Sequence, residues 1–466
     1  YRRHAMLRTA RPGSSGRYVP RRQHSSRFKP SRLVGGRPPK ALPSEMALRL
    51  NPYRPGSPVS FGMFAGRAEE TQALDAIIHQ CKLGNATHFL ILGERGIGKS
   101  SLMFYLQCVA AGQIDSWNDA RYRHLTVSIE LEPHTDYLAL IRKVGSELRR
   151  ELSKIEKVRA GIKDAWKFLS RWEVMGVRYE QSAAANAPTE VLEELVEDVG
   201  QILTRLRGDI DGLVLLIDEA DKPPPNAHLG EFCKIFAERL QRKGHENVCI
   251  GLAGLPATLV RLRQSHESSP RLFQIFNLEP LSMEERIDVV RRGLRVAKEK
   301  GGAEVTITPD AEALIATASE GYPHFIQQFA YSAFEADADG IIDDRDVIAG
   351  MFQENGAFQQ LGYKYFSDQY FEKIASDDYR LVLREVAQRA PNYVTKADIR
   401  AATGLKESVL TNALTALKKR GIILSKAGVR AQYKLPTNSF AVWITAFTKL
   451  PGGGDLGATI PKLTQR

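Results

Sequence analysis

Apolar residues recur along this chain with two periods, and the places where the period changes divide it. From about residue 61, short apolar runs alternate with stretches of helical period. Residues 71–83 read as a helix, 88–92 as a short apolar strand, 100–111 as a helix and 124–131 as an alternating strand. Residues 137–152 and 190–206 are amphipathic helices, and between them 171–179 reads as a short extended segment. The runs 212–217 and 248–253 are unbroken apolar stretches of strand length, as expected of strands covered on both faces, with a helix at 231–242 between them. This alternation predicts an α/β fold, a parallel sheet sandwiched by helices.

Strand character is then lost. Residues 283–299, 309–319 and 323–336 read as helices, a separate helical subdomain. Beyond it come helices at 377–389, 396–402 and 406–420, then short strands at 422–426 and 431–435 around a turn at 427–430. That is the order of a winged helix-turn-helix, and Gly404 sits in the turn before its third helix. The expected organisation is a disordered basic tail at 1–45, a core at 46–280, the helical subdomain at 281–360, the winged helix at 361–449 and a flexible tail at 450–466.

Composition narrows the class. The chain has 466 residues, 43% hydrophobic and 26% charged, the balance of a soluble globular protein of two or three domains. Its longest apolar stretches, such as 248–260, are too short and too rich in Gly and Pro to span a bilayer. Cys81, Cys108, Cys233 and Cys249 lack metal or disulfide spacing and read as buried free thiols in a reducing cytoplasm. The net charge of +11 sits in residues 1–45, which hold twelve Lys/Arg and one acid. Met46 follows directly, so the expectation is an upstream extension that is not translated; a nucleic-acid-binding arm and a transit peptide are the alternatives. Residues 377–449 carry thirteen Lys/Arg against five acids, a basic module beside an acidic core.

Two motifs carry chemistry. Gly93, Glu94, Arg95, Gly96, Ile97, Gly98, Lys99 and Ser100, followed by Ser101, match GxxxxGK[ST] in full between a strand and a helix. Such glycines let successive backbone N–H groups turn inward around phosphates. The lysine places a charge on the β/γ-phosphates, and the serine hydroxyl ligates Mg²⁺. The apolar strand ending in Asp218 and Glu219 delivers two carboxylates to the carboxyl edge of the sheet. Asp218 suits Mg²⁺, and Glu219 suits polarising the attacking water. ATP and Mg²⁺ are therefore the expected ligands. Residues 218–221 spell DEAD, but the second RecA-like domain and the Ser-Ala-Thr element of an RNA helicase are not readable.

The order of Phe64-Ala-Gly66-Arg67, phosphate loop, Asp-Glu strand, helical lid and winged helix resembles AAA+ ATPases of the origin-recognition/initiator type. It is also similar to their bacterial relatives, transposition helpers and the signalling STAND class. The resemblance covers roughly 61–440 and implies further roles. Gly66 and Arg67 match an adenine-side element. Arg271 stands where relatives place a finger for a neighbour's γ-phosphate. Pro323 and His324 align with a lid sensor that has Arg where this chain has His. The polar sensor expected on 248–253 is not evident, and with His324 this implies slow hydrolysis and a nucleotide switch. The basic module implies duplex DNA as partner, met by Lys406, Lys418, Lys419, Arg420, Lys426, Arg430 and Lys434, with 406–420 in the major groove. A protein-binding winged helix on a scaffold ATPase is the alternative, and a homo-oligomer is compatible with both.

Overall fold

The computed structural model describes residues 49–57, 64–155, 187–302, 304–374, 376–426 and 428–448. The expectations for 1–45, 171–179 and 450–466, and Ala427 of the turn at 427–430, lie outside the described residues.

Five parallel strands, β1 (His88–Leu92), β2 (Leu125–Glu130), β3 (Leu213–Asp218), β4 (Val248–Gly254) and β5 (Phe273–Asn277), pair in the order β2-β3-β4-β1-β5. Alternate residues of these apolar strands feed two cores, because strand side chains alternate between faces. Leu213, Leu215 and Ile217 join one core with α3 (Tyr137–Leu152), α4 (Ala187–Arg205) and α5 (Leu229–Arg242). Val214 and Leu216 join the other with α1 (Ala68–Lys82) and α2 (Lys99–Ala110). The sandwich expected from the apolar period is therefore present. Strand β5 had no signal in the pattern. It is an edge strand that buries Phe273 while exposing Gln274, Ile275 and Asn277.

A helix, α6 (Ala257–Ser265), precedes β5, and after β5 the chain turns helical. It runs through α7 (Met283–Glu299), α8 (Pro309–Ala318), α9 (Pro323–Ala336) and α10 (Asp344–Phe352), with a two-residue parallel pairing of β6 (Thr306–Ile307) and β7 (Ile341–Ile342). Then α11 (Ala357–Leu361) runs into π-helical turns at Gly362–Phe366 and Asp368–Glu372. The winged-helix elements follow: α12 (Asp377–Gln388), β8 (Val394–Thr395), α13 (Lys396–Thr403), α14 (Glu407–Lys419), β9 (Leu424–Ser425) and β10 (Gln432–Lys434). A further helix, α15 (Asn438–Phe447), was not expected from the period, since Phe440, Ala441, Val442, Trp443 and Ile444 are all buried and show no polar face. The three short strands form a sheet in the order β8-β10-β9.

One apolar cluster joins the lid to the winged helix, containing Phe329, Phe358, Phe366, Leu383, Leu414, Phe440 and Trp443. Phe366 lies 5.0 Å from Phe440 and 5.8 Å from Trp443, ring to ring. Residues 49–57 pack on the lid: the Tyr53 hydroxyl donates to the Val290 carbonyl at 2.7 Å. Gly293 makes room for that ring, since a Cβ there would sit 2.3 Å from Tyr53 Cε1. All four cysteines are free and buried. Among the described residues no helix is long and apolar enough to cross a membrane.

Candidate nucleotide site

The loop between β1 and α2 is built by conformation first. Gly96 (φ 78°) and Gly98 (φ 102°) occupy the left-handed region that other residues enter only with strain. Ile97, 1% exposed, pins the loop to the core, and a Cβ on Gly93 would meet its Cγ2 at 2.7 Å. Lys99 opens α2 and folds back, its Nζ donating to the carbonyls of Gly93 (2.9 Å) and Glu94 (3.0 Å). Burial lowers the Lys99 pKa, opposed by the negative charges of Asp218, Glu219, Asp221 and Glu94. Ser100, in the first turn of α2, is exposed, and Ser101 follows it.

The carboxylates arrive from the strand ends. Asp218 closes β3, and its Oδ1 accepts from the Glu219 backbone N–H at 2.7 Å. Glu219 takes a left-handed backbone (φ 55°), an uncommon one for a side chain of this kind. Parallel pairing sets Glu130, the last residue of β2, opposite Asp218. Lys222 then bridges the edge, 3.0 Å from Glu130 Oε1 and 3.6 Å from Glu219 Oε1. Burial pulls the Lys222 pKa down, but the bond to Glu130 and the charge of Glu219 outweigh it and leave the ammonium raised. Asp221 has another duty: its Oδ1 accepts from the Leu255 N–H at 2.8 Å.

A cavity of about 790 Å³ lies between this edge and the lid. That is the size and concavity of a small-molecule site. From the core it is lined by Arg67, by Arg95, Gly96, Ile97, Gly98, Lys99, Ser100 and Ser101, and by Glu130, Asp218 and Glu219. From the lid side come Pro323, His324, Gln327, Lys364 and Tyr365. Arg67 is buried and braces the loop: Nη2 donates to the Ile97 carbonyl at 3.1 Å and Nη1 to Glu70 at 3.2 Å. Gly66 (φ 73°) lets the chain approach α7, where Glu285 accepts from the Arg67 backbone N–H at 2.9 Å.

The lid touches the loop directly. The His324 backbone N–H donates to the Gly96 carbonyl at 3.2 Å, and Pro323, which opens α9, faces Gly98. Burial drives the His324 pKa down to about 4, helped by the charge of Lys364, so the imidazole is neutral near pH 7. Its ring lies 5.0 Å from that of Tyr365. Arg271 is elsewhere. It is exposed at the amino end of β5, where Phe273 pairs with His88, whereas the phosphate loop follows the carboxyl end of β1.

The seven basic residues named for DNA lie at the two ends of α14 and on the β9–β10 hairpin. Lys406 caps the start of α14, and Lys418, Lys419 and Arg420 lie at its far end, where cations complement the helix dipole. Arg420 also bonds to the Lys373 carbonyl. Lys426 and Lys434 flank the Tyr393 ring at 5.5 and 5.1 Å, and Arg430 is exposed on the hairpin. At the start of α14, Glu407 is paired with Lys396 and Arg400 from the preceding helix, two cations the sequence reading passed over. It also passed over Glu130, Lys222, Lys364 and Tyr365. Attention to the last residue of each strand would have named Glu130. No local pattern marks Lys364 or Tyr365.

The donor chemistry fits Mg²⁺. Among the described residues no group of three or more His, Cys, Asp or Glu could hold a metal alone. The Ser100 hydroxyl and Asp218 carboxylate are hard oxygen donors, and such a pair suits Mg²⁺ when phosphate oxygens complete its shell.

Residues 63–241 match the AAA ATPase domain family. An uncharacterized HTH-type transcriptional regulator of Methanocaldococcus jannaschii is 23% identical over 288 residues, 60% of this chain and 66% of that relative. The chain thus spans just under two thirds of the relative's length. Among solved structures, the Walker-type ATPase of Pyrococcus abyssi is 16% identical at TM-score 0.49, covering 82% of this chain and 96% of that one. The Aeropyrum pernix ORC2 protein is 14% identical at TM-score 0.47, covering 82% and 93%. The family match holds the phosphate loop and the Asp218–Glu219 strand together, and over it this chain resembles the AAA+ P-loop ATPases.

Proposed function

We propose that this chain is an AAA+-type ATPase that binds Mg-ATP in the cavity between phosphate loop and lid. In this reading it hydrolyses ATP slowly, as a conformational switch, and acts at duplex DNA through its winged helix. The observation that carries the reading is the cavity itself: Lys99, the glycine loop and three strand-end carboxylates line it opposite a lid in which α9 is bonded to the loop by its first turn. Bound Mg²⁺ would neutralise phosphate charge between Ser100 and Asp218. Lys99 has its ammonium parked on two loop carbonyls, ready to turn to phosphate. Glu219 orients and polarises the attacking water, with Lys222 fixing its position against Glu130. A neutral His324 gives the phosphates no imidazolium, which is the reason for proposing slow turnover. Arg271, at the opposite end of the sheet from its own phosphate loop, acts in this reading on the nucleotide of a neighbouring copy.

The second reading, a winged helix that binds protein, is favoured by one observation: Lys418, Lys419 and Arg420 already serve the end of α14. Retention on duplex DNA at low salt separates the two. For the ATPase itself, Mg-ATP at a hundredfold excess over Kd should stabilise the fold by about 2.7 kcal/mol. Lys99→Ala should abolish most of the resulting rise in Tm, and an equal rise in both proteins refutes the assignment. Glu219→Gln should keep binding and lose about 10²- to 10⁴-fold in turnover; unchanged turnover would move the base elsewhere.

A further inference from the structure

The lid wall of the cavity presents Pro323, His324, Gln327, Lys364 and Tyr365. Only one of these carries charge at neutral pH, since burial keeps His324 neutral. Lys364 lies on π-helical turns, a rare conformation that is frequent at functional sites. Its Nζ donates to Gln328 Oε1 at 3.2 Å, and among the described residues no carboxylate pairs with it. Burial lowers its pKa. An ammonium on a cavity wall with no carboxylate beside it is available to pair with an arriving anion.

The segment is set against the phosphate loop. A Cβ on Gly96 would lie 3.3 Å from the Tyr365 hydroxyl and 3.3 Å from His324 Cβ, so Lys364 is carried on a wall in contact with the loop. The next residue, Phe366, turns the other way into the Trp443 cluster and fixes the segment. Lys364 itself is exposed on this wall, where an anion entering the cavity can reach it.

We propose that Lys364 binds the terminal phosphate of the nucleotide and lets the lid distinguish a triphosphate from a diphosphate. The inference rests on the nucleotide reading above. The terminal phosphate is the group ADP lacks and carries the most charge, so a cation on the closing wall acts on it most; Arg54, from the segment packed on the lid, also lines the cavity. Lys99 holds the phosphates from the core side, and Lys364 meets them from the lid.

The test is calorimetric titration of the full chain with Mg-ATP and with Mg-ADP, in wild type, Lys364→Met and Lys364→Arg. Lys364→Met should weaken Mg-ATP about tenfold, equivalent to about 1.4 kcal/mol, and change Mg-ADP by less than about twofold. Lys364→Arg keeps the charge and should restore the ratio to within about threefold of wild type. A role confined to packing would shift both nucleotides together. If wild type binds both and the ratio survives in Lys364→Met, this inference is overturned and the ATPase reading stands. If wild type binds neither, the ATPase reading falls and this inference with it.

Discussion

Adding one methyl group at Gly362 tests how the segment bearing Lys364 is held. Its φ of −53° is available to any residue, so Gly362→Ala brings no backbone strain. The obstacle is packing. A Cβ there would sit 2.0 Å from Trp443 Nε1 and 2.8 Å from Cδ1 and Cε2, where carbon contacts are normally about 3.5–4.0 Å. The indole cannot swing away, because it is 5% exposed and ringed by Phe366, Tyr370, Phe371 and Phe440 at 5.8–6.2 Å. Overpacking of this kind costs about 1–3 kcal/mol, and alanine returns about 0.5–1 kcal/mol by its helix preference. The net expectation is a loss of up to about 2.5 kcal/mol. Trp443→Ala alone should cost about 3–5 kcal/mol. In that background the Gly362→Ala penalty should vanish or turn slightly stabilising, a coupling of about 1–3 kcal/mol. Urea unfolding of the four proteins followed by far-UV circular dichroism measures the cycle. An equal penalty in both backgrounds, or stabilisation of wild type, refutes the packing argument.

Burial holds the pKa of His88, His124 and His324 at about 4, and against Asp211 in the case of His124. Their folded values lie below the ordinary 6.5, so the unfolded chain takes up more protons in the interval. Their stabilisation is fully present above pH 6.5 and is lost as pH falls towards 4, by up to about 1.4 kcal/mol per unit for each. Tm should drop between pH 6.5 and 5, and His324→Gln should make that drop shallower; an unchanged slope contradicts the assignment. If Lys406, Lys426 and Lys434 touch phosphates, their joint change to Ala should flatten the slope of log K against log salt by up to about 2.7. That measurement needs residues 1–45 removed, because a segment of charge +11 would add a salt-dependent attraction of its own, and an unaltered slope argues for a protein partner. Mixing Arg271→Ala with Lys99→Ala should restore turnover through mixed interfaces, since a finger contributes about 10³- to 10⁵-fold. No recovery at any ratio makes Arg271 a surface residue.

Several features of this protein are decided within a few residues, and those were legible. The GxxxxGK[ST] loop needs its glycines where φ is positive at Gly96 and Gly98, and the apolar run into Asp218 and Glu219 is a strand because every residue before the acids is buried. Helices α7 and α9 begin where expected, because Ser282 with Glu285 forms a capping box and Pro323 suits a first helical turn. Other features exist only through distant partners. Strand β5 is a strand because β1 offers it a ladder, and α15 lacks a polar face because the lid covers it. Glu130 meets Asp218 through sheet register, and Lys396 reaches Glu407 across a helix turn. His324 is neutral because Tyr365 and its surroundings exclude water, which its neighbours in sequence do not do. Lys364 lines the same cavity as Lys99, 265 residues away, because the π-helical segment that carries it is anchored by Phe366 in the Trp443 cluster. Local pattern encodes backbone conformation and side-chain chemistry. Which charges face one another, and in how much water, is set by long-range packing, so it appeared only when the chain was folded.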